Sequence, residues 1–238
     1  MSDIVQAVVP AAGRGSRLRP ITDDRPKALV DIAGQPLLSR VFDTLSPYVS
    51  EYIVIVGYLG DKIRNRFTDA YDGIPIRYVE QPSRDGLADA VRQAEPVIEG
   101  DFVQLNGDNV LCGNIEEVVE THRRRNADAT LLAERVSRAR AKRGGVLSFG
   151  DGPIGVVEKP EDPPSRLALT GCFAFSPRIF DAISSIDPSA RGEYELPDAI
   201  EFLAHHGGRI ETVHLDGWRV NVNTESDVIR AENRLSDT

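Results

Sequence analysis

Short apolar runs rich in β-branched residues alternate along this chain with segments in which apolar positions recur every three or four residues. IVQAVVP (4–10) and YIVIVG (52–57) are brief and almost wholly apolar, the pattern of strands buried on both faces. Between them, 36–48 places Leu37, Leu38, Val41, Phe42 and Leu45 on one helical face. The alternation continues with a helix over 61–71, a strand over 74–81, a helix over 86–98, a strand over 101–108, a helix over 114–126 and a strand over 128–136. This rhythm predicts an α/β fold with a Rossmann-like open, mostly parallel sheet and helices on both faces.

Beyond about residue 135 the rhythm breaks. Segments 144–150, 154–160 and 169–176 read as short strands separated by Gly and Pro. Helices over 177–186 and 194–207, strands over 209–215 and 217–222 and a closing helix over 225–236 follow. They predict a small mixed β lobe beside the parallel one. Without internal repeats, low-complexity tracts or a long linker, residues 1–238 are expected to form one domain, with lobes at about 1–135 and 136–238.

Composition narrows the class. Apolar residues make up 41% and charged residues 27% of the chain, ordinary for a soluble globular protein. No apolar run nears the roughly 18 residues of a membrane span. The first residues lack the basic flank and apolar stretch of a signal peptide, so a cytoplasmic location without a membrane partner is expected. A formal net charge of −9 disfavours nucleic acid as a partner. Cys112 and Cys172 lack metal-site spacing and read as free buried thiols. The basic residues divide into 24 Arg and only 4 Lys, namely Lys27, Lys62, Lys142 and Lys159. An acidic, Arg-rich, Lys-poor chain fits a GC-rich genome and a salt-rich cytosol. Where lysine is scarce, each one retained gains interest.

AAGRGSRLRP (11–20) follows the first strand, at the sheet edge where open α/β folds bind ligands. Gly13 and Gly15 allow backbone N–H groups close to an anion, and Arg17 can add a charge-assisted fork to a phosphate. No Gly-Lys-Ser/Thr follows, so this is not a Walker A loop, and Leu18 occupies the third glycine position of the dinucleotide fingerprint. Taken alone, the glycines also fit a plain strand-to-helix turn.

The continuation LRPITDDRPKALVDIAGQPLL makes the loop specific. It resembles the signature of the sugar-1-phosphate nucleotidyltransferases, G-x-G-S/T-R-L/M-x-P-L/I/M-T, then P-K, then G-x-P-L/I. Gly13, Gly15, Ser16, Arg17, Leu18, Pro20, Ile21, Thr22, Pro26, Lys27, Gly34, Pro36 and Leu37 meet it. The likeness runs from residue 7 to about 227 and is nearest to the glucose-1-phosphate thymidylyl- and uridylyltransferases, without the C-terminal β-helix domain of some relatives. It implies the fold of nucleotide-diphospho-sugar transferases and a second lobe that binds sugar.

The resemblance also implies roles. Ala11, Ala12, Gly13, Gly15, Ser16 and Arg17 would hold the nucleotide. Gln81 and Gly86, in QPSRDGLADA, would read a uracil or thymine, since an amide can donate and accept at once. Asp108 of the G-D-N segment would bind Mg²⁺ as well as the nucleotide. Glu158 and Lys159 of GVVEKP, with Gly145, Thr170, Gly171 and Trp218, would hold the sugar phosphate. Arg17, Lys27, Asp108 and Lys159 are the catalytic candidates. The chain departs from the family at Asn221, where an Asp is usual as second metal ligand, with Asp216 as a nearby substitute. Pro197 replaces a usual Thr in RGEYELPDAI.

The implied reaction joins dTTP or UTP to a sugar 1-phosphate, glucose 1-phosphate foremost, with Mg²⁺ as cofactor and self-association expected. Within the enzymes, a cytidylyltransferase with another phosphorylated acceptor shares the first loop. From another class, a non-catalytic sugar-nucleotide sensor would suit Asn221.

Overall fold

The computed structural model describes residues 6–150 and 154–237. The strands are β1 (Gln6–Pro10), β2 (Asp31–Ile32), β3 (Gln35–Pro36), β4 (Glu51–Val56), β5 (Ala70–Tyr71), β6 (Ile74–Glu80) and β7 (Phe102–Leu105). They continue as β8 (Asn109–Gly113), β9 (Ala129–Arg135), β10 (Gly145–Ser148), β11 (Gly155–Glu158), β12 (Leu167–Phe175), β13 (Ile210–His214) and β14 (Gly217–Asn221). The helices are α1 (Leu37–Leu45), α2 (Gly60–Phe67), α3 (Leu87–Arg92), α4 (Ile115–Arg125), α5 (Arg138–Ala141), α6 (Arg178–Ser184), α7 (Leu196–His205) and α8 (Glu225–Ser236). Residues 4 and 5 of the expected first strand lie outside the described residues.

β7, β1, β4 and β6 pair side by side and parallel, as the alternation predicts. Alternate residues of each strand feed opposite faces. Ala7, Val9, Tyr52 and Val54 join Leu38, Phe42, Ile63 and Val118, from α1, α2 and α4, on one side. Val8, Ile53 and Ile55 join Val91, Ile179, Phe180 and Ile200, from α3, α6 and α7, on the other. A third cluster of Leu18, Val30, Ile32, Leu37, Val110, Val220 and Val222 packs on Ala231 of α8.

The expected parallel succession stops at β7. β12 lies antiparallel between β7 and β9, and β10 and β11 extend the sheet from β12, so this half is mixed. One sheet thus crosses the expected lobe boundary. Nor does position in the chain decide position in space, because β14 pairs with β8.

Three local expectations need correction. The helix over 61–71 ends at Phe67. Asp72 and Gly73 both have positive φ, 48° and 80°, and turn β5 back along β6. Asp-Gly is a strong two-residue hairpin signal that outweighs the helical spacing. The helix over 86–98 stops at Arg92, and Pro96 lies in a separate 3₁₀ turn. Of the two thiols, Cys172 is buried but Cys112 is exposed, since β8 leaves the core at that residue. No helix among the described residues is long and apolar enough to cross a membrane.

His122 sits inside, with Nδ1 3.1 Å from the Thr130 hydroxyl and Nε2 3.7 Å from Asp101 Oδ2. Burial lowers its pKa more than Asp101 and Asp128 raise it. The fold therefore favours the neutral ring, while the unfolded chain takes up a proton near the ordinary value of ~6.5. Its contribution to stability is fully present above that pH and is lost as pH falls through the folded-state value. Urea unfolding from pH 7.5 to 5 should show His122→Gln losing less stability on acidification than wild type. Parallel losses would refute the assignment.

Candidate active site

The 11–26 segment leaves β1 at the carboxyl edge of the sheet and folds over a cleft of about 250 Å³. Ala11, Gly13, Gly15, Ser16, Arg17, Lys27, Asp108 and Asn223 line it. Gly13 leaves open space where a side chain would stand. Gly15 has φ +67°, and a Cβ there would lie 2.9 Å from Lys27 Cβ. Its carbonyl accepts a hydrogen bond from Thr22 Oγ1 at 2.8 Å, which closes the loop on itself. Of the three arginines in 11–20, only Arg17 faces the cleft. Arg14 lies over the Tyr58 ring at 5.0 Å, and Arg19 pairs with Asp23 at 3.1 Å. Ala12 is buried beside the cleft, its carbonyl accepting from Tyr58 N.

Lys27 is 9% exposed, and an ammonium is buried at tolerable cost only when paired. Its Nζ donates to Asp108 Oδ2 at 2.7 Å and to Asn223 Oδ1 at 2.9 Å. Arg17 Nη2 donates to the same Asn223 oxygen at 2.9 Å. Asn223 is held by the turn into α8, where Asp227 accepts from the backbone N–H of Asn223 and Thr224 and from Thr224 Oγ1, at 3.0, 2.9 and 2.8 Å. Burial would raise the Asp227 pKa, but these bonds and Arg230 outweigh it and hold the carboxyl below its usual range.

The residues around Asp108 fit a hard cation that takes most of its ligands from phosphate and water. Asp108 Oδ1 is buried without a hydrogen-bond partner. Val222 N donates to the Asp108 carbonyl at 2.8 Å, which holds the end of β14, and hence Asn221, beside it. Asn221 Oδ1 accepts from Asn223 Nδ2. Among the described residues no cluster of three or more His, Cys, Asp or Glu forms a self-sufficient metal cage. Asp216 is no substitute ligand, because it precedes β14 at the end opposite Asn221, about 16 Å away at strand rise.

Gln81 follows β6 and is 7% exposed. Its Nε2 donates to Asp89 Oδ2 at 2.8 Å and to the Gly86 carbonyl at 3.1 Å. Both amide hydrogens are spent within the protein, so Gln81 offers a ligand only its oxygen, where the sequence suggested both groups. Gly86 has φ +111°, and a Cβ there would strike the Tyr194 backbone at 2.5 Å.

A second cleft, of about 410 Å³, is lined by Glu158, Lys159, Ser189, Arg191, Glu195, Asp198 and Glu201 among others. Lys159 has φ +44° at the end of β11, and its Nζ lies 3.1 Å from Glu158 Oε1. Arg191, absent from the sequence-derived candidates, lies 3.7 Å from the same oxygen and also pairs with Glu195. Burial raises the Asp198 pKa, helped by Glu195, Glu201 and Glu158. Gly145 faces Glu158 across the β10–β11 pair, and a Cβ there would lie 3.3 Å from Glu158 Oε2.

The remaining candidates serve the framework in this structure. Thr170 donates its hydroxyl to the Leu132 carbonyl at 2.8 Å. Gly171 marks the register shift in β12, with φ +84° and no room beside Asn106 and Asn109 for a Cβ. Trp218 packs against the Val220–Ala231 cluster and lines neither cleft.

The family model described as nucleotidyl transferase matches residues 6–235. The chain belongs to the nucleotidyl transferase family. A UTP–glucose-1-phosphate uridylyltransferase from Haloferax volcanii is 43% identical over 98% of this chain and 97% of that protein. A glucose-1-phosphate thymidylyltransferase from Streptomyces griseus is 32% identical over 98% of this chain and 67% of that protein. A UDP-glucose pyrophosphorylase structure complexed with UDP-glucose superposes with TM-score 0.89 over 98% of this chain and 99% of the other, at 23% identity, and shares the fold.

In this nucleotidyltransferase the two loop glycines answer to different constraints. Gly15→Ala should lower stability by about 1–3 kcal/mol through backbone strain and its collision with Lys27. Gly13→Ala should leave the melting temperature nearly unchanged yet weaken nucleoside triphosphate binding. Equal effects of both substitutions on melting temperature and on affinity would contradict this division.

Proposed function

We propose that this nucleotidyltransferase transfers a uridylyl group from UTP to glucose 1-phosphate, forming UDP-glucose and pyrophosphate. The observation that carries the reading is the convergence of Gly13, Arg17 and buried Lys27 on a cleft beside Asp108, whose free oxygen suits a divalent cation. The Haloferax volcanii relative, matched along almost its whole length, supports UTP and glucose 1-phosphate. The Streptomyces griseus relative supports dTTP as the second reading.

A phosphate oxygen of the sugar phosphate attacks the α-phosphorus, and the bond to the bridging oxygen of pyrophosphate breaks. A phosphate monoester is already anionic at neutral pH, so no general base is required. The barrier lies in bringing two anions into line, so positioning and positive charge supply the catalysis. Arg17 and the backbone N–H groups of the loop hold the terminal phosphates. Lys27 moves from its partners to the triphosphate near the reacting phosphorus. Lys159 and Arg191 receive the sugar phosphate, and Glu158 accepts from sugar hydroxyls. Mg²⁺ held by Asp108, with neutral Asn221 as a weaker second ligand, would screen phosphate charge. Asn221 predicts a higher Mg²⁺ requirement than an aspartate there would set.

Pyrophosphate release should be measured with glucose 1-phosphate, Mg²⁺ and each of UTP, dTTP, CTP, GTP and ATP, with high salt included. Release with UTP above the others is expected. CTP use without a sugar-phosphate requirement would favour a cytidylyltransferase. Tight UDP-glucose binding with no release from any nucleotide would favour a sensor. Lys27→Ala should lower kcat on the order of a hundredfold or more, and near-normal turnover would remove Lys27 from the mechanism.

A further inference from the structure

The Gln81 amide is oriented by a neighbour that the sequence motif does not single out. Asp89, on the first turn of α3, is 2% exposed and places Oδ2 2.8 Å from Gln81 Nε2. The other partner of Nε2 is the Gly86 carbonyl at 3.1 Å. A carboxylate and a backbone carbonyl are both acceptors, so the Gln81 amide has one permitted orientation, with nitrogen towards them and oxygen away. Among the described residues no donor is seen at Gln81 Oε1. The carboxylate is itself pinned, because Asp89 Oδ1 accepts from Arg92 Nη2 at 2.7 Å and from Gln93 Nε2 at 3.1 Å.

We propose that Asp89 is a positioning residue for base selection: by holding the Gln81 amide, it presents a lone acceptor that selects imide bases, uracil or thymine, over cytosine. The proposal rests on the reading of Gln81 as the base contact. Uracil and thymine carry an N–H at ring position 3, which an amide oxygen accepts. Cytosine has an unprotonated nitrogen there, and two acceptors facing one another forfeit the bond. An amide free to rotate would serve either ring.

Asp89→Asn keeps the shape and removes the constraint. The one oxygen of asparagine is drawn to Arg92 and Gln93, which leaves its NH₂ group facing Gln81. Gln81 then faces that donor and one remaining acceptor, the Gly86 carbonyl, so its orientation is no longer fixed and either end can face the base. The test compares kcat/KM for UTP and CTP, at saturating glucose 1-phosphate, in wild type and Asp89→Asn. The UTP-to-CTP ratio should fall on the order of tenfold or more, with the KM for glucose 1-phosphate little changed. Because the ratio is taken within one preparation, a loss of folded protein cancels.

Gln93→Ala, which removes a donor on the far side of Asp89, should leave the ratio at its wild-type value. An unchanged ratio in Asp89→Asn, or an equal change in Gln93→Ala, would overturn the proposal. Calorimetric binding of UDP and CDP reads the same discrimination without turnover. If wild type releases no pyrophosphate, the transfer reading fails while this measurement still decides the role of Asp89. Equal affinity of wild type for UDP and CDP would overturn it as well.

Discussion

The ammonium of Lys27 joins three parts of the molecule that the chain supplies far apart. The loop after β1 carries it, the turn after β7 supplies Asp108, and the turn before α8 supplies Asn223. Burying that charge without partners would cost several kcal/mol, so the three segments are held to one arrangement. Charge balance then decides what the cleft prefers. Arg17 and Lys27 both donate to Asn223, a neutral group, and Asp108 is the only carboxylate among the cleft's lining residues. A carboxylate in place of Asn223 would neutralise the second cation and compete with phosphate. With an amide there, an excess of positive charge remains for an anion.

What could be read from the sequence follows the range of each interaction. The β1–α1–β4 alternation is legible because burial imposes periods of two and 3.6 on neighbouring residues. Gly13, Arg17, Lys27 and Asp108 are legible because they fall in the short motifs that carry the family resemblance, and all four line the first cleft. Asn223 escaped notice because its role depends on a partner 196 residues away, although the Thr224-x-x-Asp227 capping pattern that fixes its backbone was visible. The antiparallel insertion of β12 was hidden for a similar reason. A fully buried strand has the same apolar run whichever direction its neighbours take. Asp216 looked near Asn221 in sequence, but an extended strand converts five residues into a large separation.

The two clefts differ in what they can recognise. The first is lined by the loop glycines, Arg17 and Lys27, which would face a polyanion in the proposed reaction. The second sets Lys159 and Arg191 among Glu158, Glu195, Asp198 and Glu201. Four carboxylates would repel a bare phosphate, but they suit a ligand that carries one phosphate and several hydroxyl donors. Lys159 and Arg191 flank the same Glu158 oxygen. That geometry sets cations for a phosphate and an acceptor for hydroxyls within one short span, as a sugar phosphate requires in the proposed reaction.

A common device links both halves of the proposed nucleotide site. Charged neighbours fix the orientation of two amides: that of Asn223, whose nitrogen donates to Asn221 Oδ1, and that of Gln81, whose oxygen is left for the base in the proposed site. Lys27 and Arg17 claim the oxygen of Asn223, while Asp89 claims the nitrogen of Gln81. An isolated glutamine or asparagine can exchange its donor and acceptor ends at little cost, so it carries little selectivity by itself. Beside a buried ion the exchange would set two like-poled groups together and leave a charge unsatisfied, at a cost of about 1–3 kcal/mol or more. Selectivity of a neutral contact therefore resides in the ion behind it. In the proposed site, residue type at the contact position alone would therefore not identify the base.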